Sequence, residues 1–274
     1  MKENRTIALN NGVHIPQLGF GVYQIGSNGA TEAAVSAALE VGYRHIDTAS
    51  IYGNEAEVGL ALKKSGLSRD SYFITTKIWK DDMENDTPED ALNRSLELLG
   101  LEYVDLYLIH WPVENKNVKT WEFMGQAMKN GLCRAIGVSN FHVAHLEELA
   151  KAGLSVPSIN QIERHPYWNR QIELDYCNKH GIAVEAYSPF GGTGASVLNE
   201  VVLKEIGEKY GKTPAQVVIR WNLQHNVVVF PKSTSTSRMK ENWQVFDFQL
   251  TESDMIKIDA LNMNRRLGYD AYQD

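Results

Sequence analysis

The chain has 274 residues, of which 43% are hydrophobic and 22% charged, and its mean hydropathy is −0.33. This profile is typical of a soluble globular protein, and the formal net charge of −7 argues against non-specific binding to nucleic acid. The N-terminal sequence is too polar for a signal peptide, and no apolar run is long enough to span a membrane. Cys133 and Cys177 are the two cysteines, and we expect both to be reduced thiols. We therefore expect a cytoplasmic protein with no membrane or nucleic-acid partner.

The first predicted element is a β-hairpin, because TIALNNGVHIPQ (6–17) carries Asn-Gly between two short extended arms. Apolar runs then recur along the chain with helical segments between them. Most of these runs are continuous rather than alternating, as expected of parallel strands covered on both faces. The eight predicted strands cover residues 18–23, 43–49, 72–79, 105–111, 134–140, 158–164, 183–189 and 227–232.

Several of the helical segments have recognisable ends. Thr-Pro pairs at 87–88 and 213–214 begin two of them, and Gly100 follows the end of the first. Two further helical segments, 196–211 and 251–262, lie outside the alternation of strands and helices. The pattern predicts a (β/α)8 TIM barrel with an N-terminal β-hairpin and two extra helices, in a single domain that covers residues 1–274. The alternative, an open doubly wound sheet, would need a glycine-rich phosphate loop after an early strand, which is not present.

Two segments resemble known motifs but fail on spacing, and the histidines match no metal-binding motif. GEKYGKT (207–213) is one residue too short between its glycines for a P-loop, and it follows a helix. GGTGAS (191–196) lacks dinucleotide-binding spacing and is predicted to be a flexible loop, which could still approach a phosphate. The eight histidines form no zinc-ligand pattern, so no metal site is predicted.

The carboxyl ends of barrel strands face one common site, and polar residues gather at these positions. Taken alone, Asp47 could cap a helix, Lys77 could be a solvated lysine, and His110 could be a core histidine. Their convergence on one barrel mouth favours a functional site instead. The polar residues at or just after the strand ends are Asp47, Tyr52, Lys77, His110, Ser139, Asn140, Gln161, Tyr187, Ser188, Lys232 and Ser233.

Four of these residues suit the reduction of a carbonyl group. A tyrosine with a pKa of about 10 donates a proton poorly near neutral pH, and a lysine ammonium beside it would lower that pKa. An aspartate would keep the lysine charged, and a histidine would orient the carbonyl oxygen. Asp47, Tyr52, Lys77 and His110 therefore predict protonation of a carbonyl oxygen while another group delivers hydride to its carbon.

The sequence resembles the aldo-keto reductases over nearly its whole length. The motifs GYRHIDTASIYGNE, ITTKIW, YVDLYLIHWP, AIGVSNF, NQIERHPY, AYSPFG and PKSTSTSRMKEN occur in the order of that family. The resemblance makes Asp47, Tyr52, Lys77 and His110 the catalytic tetrad and implies NADPH/NADP+ bound across the barrel mouth. The implied cofactor contacts are Ser139, Asn140 and Gln161 at the carboxamide, Tyr187 stacked on the nicotinamide with Ser188 beside it, Lys232, Ser233 and Arg238 at the 2′-phosphate, and Glu241 and Asn242 around the adenine.

The resemblance also implies a substrate pocket lined by Tyr23, Ile51, Trp79, His110 and Trp111. Such a mostly aromatic wall favours permissive binding of small carbonyl compounds. The short loop after the fourth strand resembles the microbial branch of the family, which includes 2,5-diketo-D-gluconate and methylglyoxal reductases. The loop GGTGAS (191–196) is also short, so we expect it to cover the cofactor only partly. A monomer is expected.

Two other functional classes are less consistent with the residues. A regulatory channel-associated subunit with the same fold would not need an intact tetrad. A sugar isomerase or hydrolase on a barrel would need metal-binding carboxylates or an acid pair at the strand ends.

Overall fold

The computed structural model describes residues 5–192 and 196–268. Its first elements are the two arms of the predicted hairpin, β1 (Thr6–Ala8) and β2 (His14–Pro16), which pair antiparallel. Gly12 lies in the turn with a φ of 86°, a left-handed conformation that glycine adopts without strain. The hairpin prediction is confirmed.

Eight parallel strands form the central sheet, and their order follows the chain from β10 back to β3. A bridge between Leu18 and Val229 joins the two ends of the sheet, and the Gly19 N–H donates to the Val229 carbonyl at 2.9 Å. The predicted barrel of eight strands is confirmed. The strands are β3 (Phe20–Gly21), β4 (His45–Asp47), β5 (Phe73–Ile78), β6 (Val104–Ile109), β7 (Cys133–Ser139), β8 (Ile159–Glu163), β9 (Ala183–Tyr187) and β10 (Val228–Val229).

The first and last barrel strands are shorter than the sequence predicts. The predicted runs 18–23 and 227–232 contribute only two ladder residues each. Pro231 has no N–H to donate, so the ladder of β10 cannot continue through it.

Helices surround the sheet, and the predicted starts are confirmed. Pro88 and Pro214 occupy the first turns of their helices, and Gly100 closes the first with a φ of 65°. The two extra helices are α8 and α11, whereas the short α3 was not predicted. The helices are α1 (Ala30–Val41), α2 (Glu55–Ser65), α3 (Lys80–Glu84), α4 (Pro88–Leu99), α5 (Asn117–Lys129), α6 (Val143–Lys151), α7 (Gln171–Lys179), α8 (Val201–Tyr210), α9 (Pro214–Gln224), α10 (Thr236–Trp243) and α11 (Glu252–Asp259).

The largest part of the core lies between the sheet and the helices. A second cluster joins the extra helices to α9 through Leu203, Trp221 and Ile258. In a third cluster, Leu9 and Ile15 of the hairpin segment pack against residues inside the barrel. The hairpin thereby covers one end of the barrel and leaves the carboxyl ends of the strands for the site.

Three findings bear on the remaining predictions. Cys133 and Cys177 are free and buried. Within residues 5–192 and 196–268, no helix combines the length and apolar composition that crossing a membrane requires, and no group of three or more His, Cys, Asp and Glu side chains could hold a metal ion. Residues 193–195 of the predicted cofactor-covering loop lie outside the described residues.

Candidate active site

A buried ion pair lies at the carboxyl ends of β4 and β5. Lys77 Nζ lies 2.8 Å from Asp47 Oδ1 and also donates to the Thr48 carbonyl at 2.8 Å. The Lys77 side chain is wholly buried, and that of Asp47 is 3% exposed. Burial raises the pKa of Asp47, and hydrogen bonds from Lys77 and Gln161 oppose that rise. The structure thus brings Asp47 and Lys77 together, as the sequence predicts.

Tyr52 lies close to this ion pair, in a turn of 3-10 helix (Ser50–Tyr52) after β4. The Lys77 ammonium is 5.2 Å from the centre of the Tyr52 ring. The sequence predicts that Lys77 lowers the Tyr52 pKa, but burial raises this pKa well above its ordinary value, and the charge of Asp47 adds to the rise. Burial therefore keeps the phenol protonated, which is the form that a proton donor requires.

His110 follows β6 and faces the same ring. Its imidazole lies 5.5 Å from the Tyr52 ring and 5.1 Å from the Trp79 ring, edge-on in both cases. Burial, and then the charge of Lys77, lowers the His110 pKa well below its ordinary value. The imidazole is therefore neutral near pH 7 and can donate a hydrogen bond to a carbonyl oxygen without itself being protonated.

Two of the predicted substrate-pocket residues, Tyr23 and Trp79, lie against Tyr52 and His110 respectively. The Tyr23 and Tyr52 rings are 4.9 Å apart, and Tyr23 and Ile51 are 49% and 48% exposed. Trp111, which follows His110, is buried. The wall is therefore aromatic and open to solvent on one side.

Asn54 fixes the loop that carries Tyr23, a role that the sequence did not suggest. Its Nδ2 donates to the Val22 carbonyl at 3.1 Å, and its Oδ1 accepts from Thr48 Oγ1 at 3.1 Å. Asn54 directly precedes α2, which begins at Glu55, but the Asn54 side chain makes no capping bond. Asn54 instead connects the end of β4 to the start of the pocket wall.

The ends of β7 and β9 bring together three of the predicted cofactor contacts. Asn140 Nδ2 donates to Ser139 Oγ at 3.1 Å, and the Tyr187 hydroxyl donates to Asn140 Oδ1 at 2.7 Å. Asn140 and Ser188 both have a positive φ, 63° and 46°, a conformation rare for residues other than glycine. These left-handed residues directly follow β7 and β9.

Gln161 faces the interior of the barrel as well as its mouth. Its Nε2 donates to Asp47 Oδ2 at 2.8 Å and to Glu185 Oε2 at 2.9 Å. The nitrogen is committed to these two carboxyl groups, so the carbonyl oxygen is the atom left for a cofactor. The sequence did not single out Glu185.

The segment before and within α10 carries the remaining predicted contacts. Lys232 and Arg238 are exposed and form no salt bridge with any residue that the structure describes. Ser233 is 7% exposed and accepts from the Ser235 N–H at 3.1 Å. Glu241 accepts from Thr213 Oγ1 at 2.9 Å, and Asn242 is buried. Two exposed cations that form no salt bridge within the described residues fit an anionic group such as a phosphate.

Glu163 holds the C-terminal segment on the barrel mouth, a contact that the sequence did not predict. Its Oε1 accepts from the N–H groups of Leu267 and Gly268 at 2.8 and 2.9 Å and lies 2.9 Å from His165 Nε2. Burial alone would raise the pKa of Glu163, but these hydrogen bonds lower it. The adjacent Arg266 guanidinium lies 5.1 Å from the centre of a Trp111 ring, so this contact reaches the substrate-pocket wall.

Comparison with known proteins identifies the family to which this geometry belongs. Residues 17–263 match the Aldo/keto reductase family. The chain belongs to this family. It is an oxidoreductase that acts on carbonyl groups.

The chain is similar to known relatives and solved structures over nearly its full length. It is 48% identical over 265 residues to the 9,11-endoperoxide prostaglandin H2 reductase of Trypanosoma cruzi (strain CL Brener), covering 96% of this chain and 94% of that protein. It is 47% identical over 263 residues to the glyoxal reductase of Bacillus subtilis (strain 168), covering 96% and 95%. The structure of a Bombyx mori aldo-keto reductase in complex with NADP is 35% identical, with a TM-score of 0.93, covering 100% of this chain and 97% of that one.

Proposed function

We propose that this aldo-keto reductase reduces small aldehydes and ketones to alcohols with NADPH, and that Tyr52 donates the proton. The observation that carries this proposal is the buried Lys77–Asp47 pair beside the Tyr52 ring. An ammonium held in this position stabilises the negative charge that develops on the phenol oxygen as the proton leaves.

Each member of the proposed tetrad has a distinct task. NADPH, when bound, supplies the hydride. The neutral His110 imidazole orients the carbonyl oxygen, and the Tyr52 phenol protonates it. Asp47 holds the Lys77 ammonium in position beside Tyr52, and Gln161 holds Asp47 through its second carboxylate oxygen.

The proposed cofactor contacts lie at the carboxyl ends of β7, β8 and β9 and in the segment of residues 232–242. The Tyr187 ring would stack on the nicotinamide, and Ser139, Asn140 and the Gln161 carbonyl oxygen would hold its carboxamide, with Ser188 beside them. Lys232, Ser233 and Arg238 would bind the 2′-phosphate, because charge-assisted hydrogen bonds are the strong ones, and Glu241 and Asn242 would lie near the adenine. The NADP complex of the Bombyx mori relative supports this choice of cofactor.

The proposed substrates are small carbonyl compounds bound with little selectivity. Tyr23, Ile51, Trp79, His110 and Trp111 offer an aromatic wall with few polar anchors, and the Bacillus subtilis relative is named for glyoxal. We further infer a monomeric, cytoplasmic enzyme of one domain over residues 1–274; the two buried free thiols are compatible with a reducing compartment.

NADPH oxidation with glyoxal, methylglyoxal and a nitrobenzaldehyde tests the proposal. The wild type should turn over these compounds, and Tyr52→Phe should lose roughly a hundredfold or more in kcat, since positioned proton transfer contributes about that much. Tyr176→Phe is the matched control, because it removes a hydroxyl from a ring stacked on His180 on the outside of the barrel. A wild type that is inert across a broad carbonyl panel would overturn the reductase proposal, and a fully active Tyr52→Phe would overturn the proton-donor role.

A further inference from the structure

Glu185 is a fully buried acid inside the barrel, on β9, with no role in the proposed reaction. Its Oε2 accepts from Gln161 Nε2 at 2.9 Å, and the same nitrogen donates to Asp47 Oδ2 at 2.8 Å. One amide group thus joins Glu185 to the aspartate that binds Lys77. The second oxygen, Glu185 Oε1, has no hydrogen-bond partner within the described residues.

The groups that face Glu185 offer little compensation for a negative charge. His45 Nε2, on β4, lies 3.9 Å away, and burial lowers the His45 pKa to about 3, so this imidazole is uncharged. Lys77, on β5, is the cation that acts on Glu185, and it is already paired with Asp47 at 2.8 Å. Val228 on β10, the register partner of Glu185 in the sheet, is apolar.

An ionised Glu185 would therefore be a second buried carboxylate beside one ammonium. Burial, and then the charge of Asp47, raises the pKa of Glu185 to about 8. A buried carboxyl group without a paired cation keeps its proton, because desolvating the charged form is costly.

We propose that Glu185 is a positioning residue that keeps its proton at neutral pH and, through Gln161, holds Asp47 in place against Lys77. This rests on the proposed function, because Asp47 and Lys77 matter through Tyr52. Ionisation of Glu185 adds a negative charge to the cluster. Asp47 already raises the Tyr52 pKa by its charge, so a second carboxylate acts in the same direction and weakens proton donation.

The proton on Glu185 can be tested through stability, without any assay of activity. From the ordinary glutamate pKa of 4.5 up to about 8, the folded chain keeps a proton that the unfolded chain has lost. Unfolding then releases a proton, so the free energy of unfolding contributed by Glu185 falls as pH rises through this window. Relative to Glu185→Gln, the unfolding equilibrium constant of the wild type should increase by as much as tenfold per pH unit.

Urea titrations of the wild type and Glu185→Gln between about pH 5 and pH 8 measure this difference. Glu147→Gln, which removes an exposed carboxylate on α6, is the matched control for loss of a carboxyl group. Infrared difference spectroscopy adds a direct readout, because a protonated buried acid has a carbonyl stretch that Glu185→Gln abolishes. A stability difference that does not change with pH, or no such band at pH 7, would overturn the proposal.

The positioning role is tested by the pH dependence of kcat for carbonyl reduction. In the wild type, kcat should fall as pH rises through about 8, well below the range in which Tyr52 titrates. In Glu185→Gln this fall should be absent, and kcat at pH 7 should stay within several-fold, because the glutamine oxygen can accept the bond from Gln161. Glu185→Leu should lower kcat at every pH, since it removes that acceptor.

The outcomes separate the two proposals. Superimposed profiles for the wild type and Glu185→Gln, with an active wild type, would show that Glu185 does not act on the tetrad. A wild type inert toward all carbonyl compounds would overturn the proposed function, and the urea and infrared experiments would still decide whether Glu185 is protonated.

Discussion

Lys77 Nζ and Asp47 Oδ1 lie 2.8 Å apart, and neither side chain is more than 3% exposed. Removing one member of such a buried pair leaves the other charge without compensation, which costs far more than the pair contributes as a whole. The two residues should therefore behave as one unit in stability as well as in catalysis.

Asp47→Asn and Lys77→Met should each reduce the free energy of unfolding by about 3–5 kcal/mol. The double variant should lose clearly less than the sum, because neither charge is then left alone. Urea denaturation of the four proteins at pH 7 measures the coupling. The exposed Lys151–Glu147 pair on α6 is the control cycle, for which we expect a coupling of about 0–1 kcal/mol. Strict additivity at Asp47 and Lys77 would contradict the coupling.

The pH profile of kcat/KM should show no acidic inflection that belongs to His110. Burial holds the His110 pKa well below 6.5, so the imidazole stays neutral as pH falls from about 7.5 to about 5.5. Protonation of His110 therefore does not reduce the active fraction of the enzyme in this range. Comparison of the wild type with His110→Gln, at constant ionic strength, checks this. An inflection near pH 6.5 in the wild type that disappears in His110→Gln would refute it.

Arg238→Ala should weaken binding of NADP+ by about tenfold or more, because a hydrogen bond to a charged group contributes roughly 1.5–3 kcal/mol. Binding of NAD+, which lacks the 2′-phosphate, should change much less. Titration calorimetry with both cofactors measures the two effects. Arg94→Ala on α4 is the control, since it removes a cation that pairs with Asp82 away from α10. An equal loss for both cofactors would remove the 2′-phosphate from the proposed role of Arg238.

Glu163→Gln should loosen the C-terminal segment that lies on the barrel mouth. The variant loses the charged acceptor of two backbone N–H groups, so amide hydrogen exchange at Leu267 and Gly268 should speed up by about tenfold or more. The KM for the carbonyl substrate should rise, because Arg266 lies over Trp111. Glu97→Gln, on the exposed side of α4, is the control. Unchanged exchange at both amides would show that Glu163 does not hold this segment.

Most of the candidate site could be predicted because its residues lie at the ends of strands in a parallel barrel. The carboxyl ends of neighbouring strands meet at one mouth, so strand boundaries alone bring Asp47, Lys77 and His110 together. The sequence predicts the wrong direction for the Tyr52 pKa shift, because this shift depends on burial. A motif does not show how completely a ring is desolvated.

Glu185 and Glu163 were missed for different reasons. Glu185 stands two residues before Tyr187 and therefore on the same face of β9; a charged residue within a buried strand is rare unless it is paired, and this signal was present in the sequence. Glu163 binds the N–H groups of residues 267 and 268, more than 100 positions along the chain. No local pattern encodes a contact at that separation.

The hydrogen bond from Gln161 to Asp47 crosses the barrel from β8 to β4. On one side lie the strands that carry the proposed proton-transfer residues, and on the other lie those that carry the proposed cofactor contacts. Coenzyme preference can therefore be redesigned separately from proton transfer. Grafting residues 232–242 from an NAD-selective relative would change the cofactor contacts and leave the proposed proton-transfer residues unchanged. Gln161 is the residue that such a chimera has to preserve, because it belongs to both.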